Sequence, residues 1–143
     1  MNLKKIGLAV VVAFVILMAT DFLVHGMWMT PTYTRMQTDL NTFRSTEQME
    51  AKMWLMWVGR LLFSALFVWV YTRGLEAKAW LGQGIRYAIL IWLFFGVPAA
   101  LDQYVLYRVP YKVAACWMVA SAVQLLLISL TTAAICKKAP AAA

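Results

Sequence analysis

Cysteine, histidine and acidic residues are all scarce in this chain, and each scarcity removes a class of chemistry. The 143 residues include two cysteines, one histidine and six acids. Cys116 and Cys136 fall in one apolar run, about 30 Å apart along a helix axis, so they cannot bond to each other or form a paired-cysteine metal motif. No nucleophile elbow, phosphate loop or zinc-binding helix pair occurs either. The sequence therefore gives little support for an enzyme or a metalloprotein.

Long apolar runs dominate what is present. Hydrophobic residues make up 64% of the chain and charged residues 13%, which is too apolar for a soluble domain of this length. Four runs are each about 20 residues or longer, enough to cross a hydrocarbon core of about 30 Å as a helix. We predict an all-α integral membrane protein that forms a single domain over residues 1–143. Its transmembrane helices are expected at residues 6–29, 53–72, 87–106 and 113–136.

The connections between the runs predict how the helices are arranged. Short turns around residues 74–84 and 108–110 favour antiparallel neighbours, hence an up-down four-helix bundle. The longer connection between spans 1 and 2 predicts a short amphipathic helix at residues 31–44, lying on the membrane surface. Its apolar residues recur at helical spacing: Tyr33, Met36, Leu40 and Phe43. Gly96 and Pro98 interrupt the third run, where we expect a kink.

The formal net charge of +7 is better explained by membrane topology than by nucleic acid, because the basic residues are spread over the ends of the spans. With both termini on the inner side, seven Lys and Arg residues lie inside and five outside. The inner set is Lys4, Lys5, Arg73, Lys78, Arg86, Lys137 and Lys138; the outer set is Arg35, Arg44, Lys52, Arg108 and Lys112. We therefore expect both termini to be cytoplasmic, in a bacterial inner membrane.

Four ionisable side chains lie inside the apolar runs: Asp21 and His25 in the first, Arg60 in the second and Asp102 in the third. A charge left alone at a helix centre costs roughly 2.5–3.5 kcal/mol. Counting from the run ends places all four in the outer half of the bilayer, about 6 to 12 Å below its surface. Arg60 is the only basic group at that depth, and its planar fork can meet carboxylates on two sides. We expect Arg60 to bridge to Asp21 or Asp102, with His25 hydrogen-bonded nearby.

This polar cluster (Asp21, His25, Arg60 and Asp102) has three interpretations. The first is an internal ion-pair network that fixes the register of the helices. The second is a proton or ion pathway, or a polar ligand pocket. The third is a cofactor site, in which His25 is the axial ligand of a haem or chlorin, or Asp21 and His25 bind a metal with Asp102. The sequence does not require any cofactor.

The fourth run adds a few polar groups to this picture. Ser121 and Gln124 share one helical face just below the charged layer and are expected to make secondary polar contacts. Ala115, Ala122 and Ser129 recur at heptad spacing, which predicts close helix packing. We expect Gln124 to hydrogen-bond another helix rather than a ligand.

Three functions fit these features. The leading hypothesis is an accessory or structural subunit of a larger membrane protein complex, because the chain is small, carries little extramembrane mass and lacks a catalytic motif. The alternative is a small proton-coupled transporter or ion-binding membrane protein that uses the polar cluster. The third is a haem or pigment carrier through His25. The expected partners are the lipid bilayer and either other membrane subunits or copies of the same chain, with no nucleic acid.

Overall fold

Long helices make up most of the computed structural model, which describes residues 2–40 and 44–137. Within those residues the structure is all-helical and has no strand. In chain order the elements are α1 (Leu3–Asp21), a π-helical segment (Phe22–Trp28), α2 (Thr30–Leu40), α3 (Thr46–Glu50), α4 (Met53–Arg73), α5 (Trp80–Ile91), a second π-helical segment (Trp92–Gly96), α6 (Val97–Leu106) and α7 (Tyr111–Cys136). Four continuous stretches are long and apolar enough to cross a membrane: Leu3–Trp28, Met53–Arg73, Trp80–Leu106 and Tyr111–Cys136. The predicted all-α, four-helix architecture is confirmed.

Two boundaries differ from the predicted ones. The third span begins at Trp80, seven residues before the expected start, because the helix forms ahead of the apolar run and buries Gln83 and Gly84. The helix expected at residues 31–44 is α2, which covers Thr30–Leu40. Phe43, the last apolar residue assigned to it, lies outside the described residues.

Many large apolar side chains on the spans point outward, and several small or hydroxyl side chains are fully buried between the helices. Ala13 and Ser64 are both 0% exposed, whereas Leu62 is 59% and Val119 is 64% exposed. A soluble bundle shows the reverse pattern, because water drives large apolar side chains into the core. Helices in lipid lack that drive and approach each other through small residues. The pattern is that of a bundle surrounded by hydrocarbon.

Neighbouring helices of the bundle run antiparallel. α7 packs against α1 on one side and α5 on the other, and α4 packs against α1. Gly84, near the start of α5, approaches Ala133 near the end of α7, while Gly96 meets Ser121 closer to the start of α7. Aromatic side chains such as the Phe67–Tyr87 pair, with ring centroids 4.7 Å apart, bring α4 against α5. These contacts close the ring of an up-down bundle.

The end of the bundle that carries α2, called the α2 end below, is packed on one side only. Residues 53–59 of α4 and residues 101–106 of α6 are exposed on every face of their helices. On the other side, α2 is held against the start of α7 by a small apolar cluster. Its buried members are Met29, Met36, Val109 and Val113, and Tyr33 and Trp117 pack against them.

At the opposite end, Gln83 organises the turn between α4 and α5. Its side chain is 6% exposed. It accepts a hydrogen bond from the Glu76 N–H at 2.9 Å and donates to the Glu76 and Lys78 carbonyls at 3.1 and 2.9 Å. Lys78 also pairs with Glu76 at 2.6 Å, and this hydrogen bond holds the pKa of the Glu76 carboxyl below its ordinary value. One buried amide thus satisfies three backbone groups of a short turn.

Candidate functional site

The polar groups of Asp21, His25, Tyr33, Arg60 and Gln124 lie together near the α2 end and are called the polar layer below. An ion pair between Asp21 and Arg60 lies at its centre. Asp21 is the last residue of α1 and Arg60 the eighth of α4. Arg60 Nε is 2.6 Å from Asp21 Oδ2, and Arg60 Nη2 donates to Oδ1 at 3.2 Å. Both carboxylate oxygens therefore face the planar fork of the guanidinium, the geometry in which arginine binds carboxylates most strongly. The Asp21 side chain is 14% exposed and that of Arg60 is 31% exposed.

Gln124 brings a third helix to the same carboxylate. Its Nε2 lies 2.8 Å from Asp21 Oδ1, 2.6 Å from Thr20 Oγ1 and 3.3 Å from the Leu17 carbonyl. The amide therefore holds the end of α1 against α7 while Arg60 holds it against α4. Gln124 makes the helix-to-helix hydrogen bonds expected of it, and one of them goes directly to the acid.

His25 lies one helical turn beyond Asp21 and is tied to α2 and α7 through Tyr33. The Nδ1 of His25 is 2.6 Å from Tyr33 Oη, and the two rings stack with centroids 5.9 Å apart and planes 10° apart. Trp117 Nε1 donates to the same Oη at 2.7 Å. His25 is also close enough to Asp21 and Arg60 for electrostatic interaction. The imidazole is therefore tied to the interfacial helix one helical turn from the ion pair.

Tyr33 is a residue of this site that the sequence did not single out. Burial raises the pKa of its phenol, and the hydrogen bond from Trp117 opposes that rise only in part. The sequence assigned Tyr33 to the membrane interface, as its polar ring allows. One signal was available: a buried indole N–H needs an acceptor, and Trp117 lies inside an apolar run that has few acceptors.

A π-helical segment lies beside the polar layer in each of two spans. In the first, the Met29 N–H donates to the carbonyl of Val24, five residues back, at 2.8 Å. In the second, the Val97 N–H donates to the carbonyl of Trp92, also five residues back. Pro98 explains the second segment, because proline has no N–H with which to continue the α-helical ladder. Wide turns of this kind are frequent at functional sites, and both lie at the level of Asp21.

Gly96 allows the third and fourth spans to approach at that level. A Cβ at this position would lie 2.7 Å from Trp92 Cδ1 and 3.0 Å from Ser121 Oγ. Trp92 packs over the glycine and donates its Nε1–H to the Met118 carbonyl at 3.0 Å, which also accepts from Ser121 Oγ at 2.9 Å. Ser121 thus bonds to its own helix, and Gln124 is the residue of the fourth span that reaches the acid.

Asp102, the fourth residue of the predicted cluster, is not brought to the layer. It is exposed on α6, and it makes no hydrogen bond or ion pair with any part of the chain that the structure describes. It lies about 200° around the helix from Ala100, the residue that α6 buries, because each residue turns an α-helix by about 100°. The sequence predicted a kink at Gly96 and Pro98, but it placed Asp102 by depth alone, and the π-helical segment changes which face of the helix points inward. Arg60 therefore has one carboxylate partner, Asp21.

The groups gathered in the layer are a carboxylate, a guanidinium, an imidazole, a phenol and an amide. Of these, the carboxylate and the imidazole are groups that bind and release protons inside membrane proteins. Among residues 2–40 and 44–137, no three His, Cys, Asp or Glu side chains come together as a metal site.

The fold and the layer together define a class: small all-helical proteins with four helices of membrane-spanning length and an ionisable cluster near one end. Residues 8–133 match the family described as "Protein of unknown function (DUF1761)". That match covers most of the chain and every residue of the polar layer, so the chain belongs to this family. No curated protein and no solved structure matches it.

Proposed function

We propose that this protein is a small proton-coupled membrane transporter and that the polar layer is its protonation site. The observation that carries the proposal is the set of three contacts that Arg60 and Gln124 make with the Asp21 carboxylate. Arg60 of α4 and Gln124 of α7 both bind this carboxylate, which ends α1. A proton added to Asp21 removes the charge that holds Arg60, so protonation changes the contact between α1 and α4. Coupling of that kind is what a proton-driven change of shape requires.

His25 supports this assignment as a second titratable group. It lies close to both charges of the ion pair and contacts Tyr33 of α2. A proton that moves between Asp21 and His25 therefore alters both the contact between spans and the hold on the interfacial helix. The partial exposure of Asp21 and Arg60, 14% and 31%, gives protons a way in at the α2 end.

We further propose that the α2 end faces the outside of a bacterial inner membrane. The opposite end carries Lys4, Lys5, Arg73, Lys78 and Arg86, and basic residues accumulate on the cytoplasmic side of membrane proteins. Both termini are then cytoplasmic. The polar layer opens toward the side of the membrane from which a bacterial proton gradient drives uptake.

Proton flux into liposomes tests the proposal directly. Purified protein is reconstituted with a trapped pH-sensitive dye, and a potassium gradient with valinomycin makes the interior negative. Vesicles that hold the wild-type chain should acidify faster than empty vesicles, and Asp21→Asn should remove the difference. Asp102→Asn is the matched control, because it is the same change at the same end but outside the layer. Equal rates in wild-type and empty vesicles would refute the proposal.

A second candidate function, an accessory subunit of a larger membrane complex, is favoured by the open side of the α2 end. Asp102 is an exposed acid on an apolar span, and within the described parts of the chain nothing neutralises it. Around it, residues 53–59 and 101–106 are all exposed. A transmembrane helix of a partner subunit, with a basic residue opposite Asp102, would cover this side.

Purification in a mild detergent distinguishes this candidate from the first. A subunit should elute with stoichiometric partners in native mass spectrometry, and Asp102→Asn should weaken that association. A chain that purifies alone, stable and monodisperse, counts against it. An absorption scan of the same preparation tests whether His25 carries haem or a pigment, in which case a visible band should disappear in His25→Ala.

A further inference from the structure

Three buried hydroxyls lie deeper in the bundle, away from the polar layer. They are Tyr71 Oη, Ser129 Oγ and Thr132 Oγ1, from residues that are 4%, 0% and 1% exposed. None of the three has a hydrogen-bond partner among the described residues. Burying a hydroxyl without a partner is costly, so a set of three on two packed helices needs an explanation.

The same residue types behave differently elsewhere in the chain. Serine and threonine inside helices usually donate to a carbonyl three or four residues back. In this structure the hydroxyls that do so belong to Thr20, Thr30, Thr34, Thr38, Ser64, Thr72, Ser121 and Thr131. Ser129 and Thr132 do not, although both lie in the regular part of α7. Their hydroxyls are available to a small polar molecule inside the bundle.

The three hydroxyls come from residues at successive positions along α7 and α4 toward the end opposite α2. Ser129 and Thr132 follow Gln124 by five and eight residues, which is about 7.5 and 12 Å along the axis of α7. Tyr71 follows Arg60 by eleven residues, about 16.5 Å along α4 in the same direction. The fully buried residues of α1 at these depths include the small side chains of Ala9 and Ala13.

We infer that these three hydroxyls bind ordered water inside the bundle and extend the proton route from the polar layer toward the opposite end. Water fits because each hydroxyl both donates and accepts, and buried water bonds to polar groups that otherwise lack partners. A proton passes when one oxygen accepts it and releases its own proton to the next, so no hydroxyl is consumed. The route part of this inference depends on the proposed transport function, whereas the water site does not.

Buried apolar side chains form a layer between the polar layer and Thr132. Leu17 of α1 and Ile128 of α7 are 1% and 0% exposed and lie between Gln124 and Thr132 in depth. Protons cross this layer only when those side chains move. Protonation of Asp21, four residues from Leu17 on the same helix, is a direct means of moving them.

Radiolytic labelling detects the water site without any transport assay. X-ray pulses generate hydroxyl radicals from bound water, which oxidise the nearest side chains, and mass spectrometry locates the product. Tyr71 and Phe67 lie on the same helix, and both are 4% exposed. Tyr71 should be oxidised severalfold faster than Phe67, and Thr132→Val should remove most of that difference. Oxidation of Tyr71 at the rate of Phe67 would overturn the inference.

Proton flux in liposomes then tests the route. Thr132→Val should lower the flux severalfold, while Thr131→Val should leave it at the wild-type rate. Thr131 is the matched control because its hydroxyl donates to its own helix, at 2.9 Å from the Leu127 carbonyl. Equal flux in the two variants would overturn the route and leave the water site. Labelled Tyr71 in a wild-type protein that conducts no protons would refute the transport function while supporting the water site.

Discussion

Replacing Arg60 by methionine is the sharpest test of how the bundle is held together. Methionine keeps most of the length and apolar volume of the side chain and removes the charge, so Asp21 is left with Gln124 alone. A charge without its partner costs roughly 2.5–3.5 kcal/mol at a helix centre. The residual exposure of Asp21, 14%, and its hydrogen bond from Gln124 reduce that figure. We expect Arg60→Met to lower the free energy of unfolding by about 2 kcal/mol.

The double variant separates the ion pair from the packing of the side chain. In Arg60→Met/Asp21→Asn neither charge remains, and a buried pair replaced by neutral groups of similar volume is often close to neutral in stability. The loss in the double variant should therefore be smaller than the sum of the two single losses. Coupling energies between polar groups in membrane helices average about 0.6 kcal/mol and reach about 1.7. The two-pronged geometry of this pair favours a value of about 1 to 1.5 kcal/mol.

Equilibrium unfolding in mixed micelles gives the required free energies, because seven tryptophans provide a strong fluorescence signal. Arg73→Met is the matched control, since Arg73 is exposed at the opposite end and stacks on Trp69 at 5.0 Å without an acid partner among the described residues. It should cost less than about 1 kcal/mol. An Arg60→Met variant as stable as wild type would refute the pairing. A loss in the double variant that equals the sum of the two single losses to within about 0.3–0.5 kcal/mol would refute it as well.

Three further predictions use the same unfolding assay or a simple titration. Gly96→Ala should lower the free energy of unfolding by about 1–3 kcal/mol, because the added Cβ would lie 2.7 Å from a carbon of Trp92. Gly59→Ala is the control and should be neutral or slightly stabilising, because nothing lies within 4 Å of its added Cβ. Gln83→Ala should lower the free energy of unfolding by about 1–3 kcal/mol, because it leaves backbone groups of the turn unpaired. Gln103 is exposed, so Gln103→Ala should cost less than about 0.5 kcal/mol, and equal losses in the two variants would contradict the prediction. Tyr33 has a raised pKa, so its contribution to stability is present below pH 10 and is lost as the pH rises through the folded value. Ultraviolet difference spectra should show fewer tyrosines ionising near pH 10 in wild type than in a denaturant-unfolded reference, and Tyr33→Phe should reduce the gap.

The fold was accessible from the sequence because its determinants are local and additive. A run of about 20 apolar residues is long enough to span lipid whatever its neighbours do, and a backbone in lipid must be helical to satisfy its own polar groups. Counting residues at 1.5 Å each also put Asp21 and Arg60 at similar distances from the ends of their runs. The structure brings these two side chains into contact.

Rotation around each helix was not accessible in the same way. Asp102 lies at a suitable depth, but a π-helical segment six residues before it alters the face that it presents. Wide turns depend on particular packing, here Trp92 over Gly96 and the missing N–H of Pro98, so counting along a regular helix cannot locate them. The link through Tyr33 was missed for a related reason. It joins α1, α2 and α7 through a loop whose geometry no periodicity specifies.

The distribution of paired and unpaired polar groups argues for a working interior rather than a purely structural one. A bundle that needed its polar residues for register alone would satisfy them within the protein, as Asp21, Arg60 and Gln124 are satisfied at the α2 end. Ser129 and Thr132 depart from that rule at positions where alanine and valine would pack equally well. If no water binds their hydroxyls, replacing Ser129 by alanine and Thr132 by valine should therefore stabilise the protein. Stability that stays level or falls, together with loss of labelling at Tyr71, is the outcome expected of hydroxyls that hold water for proton transfer.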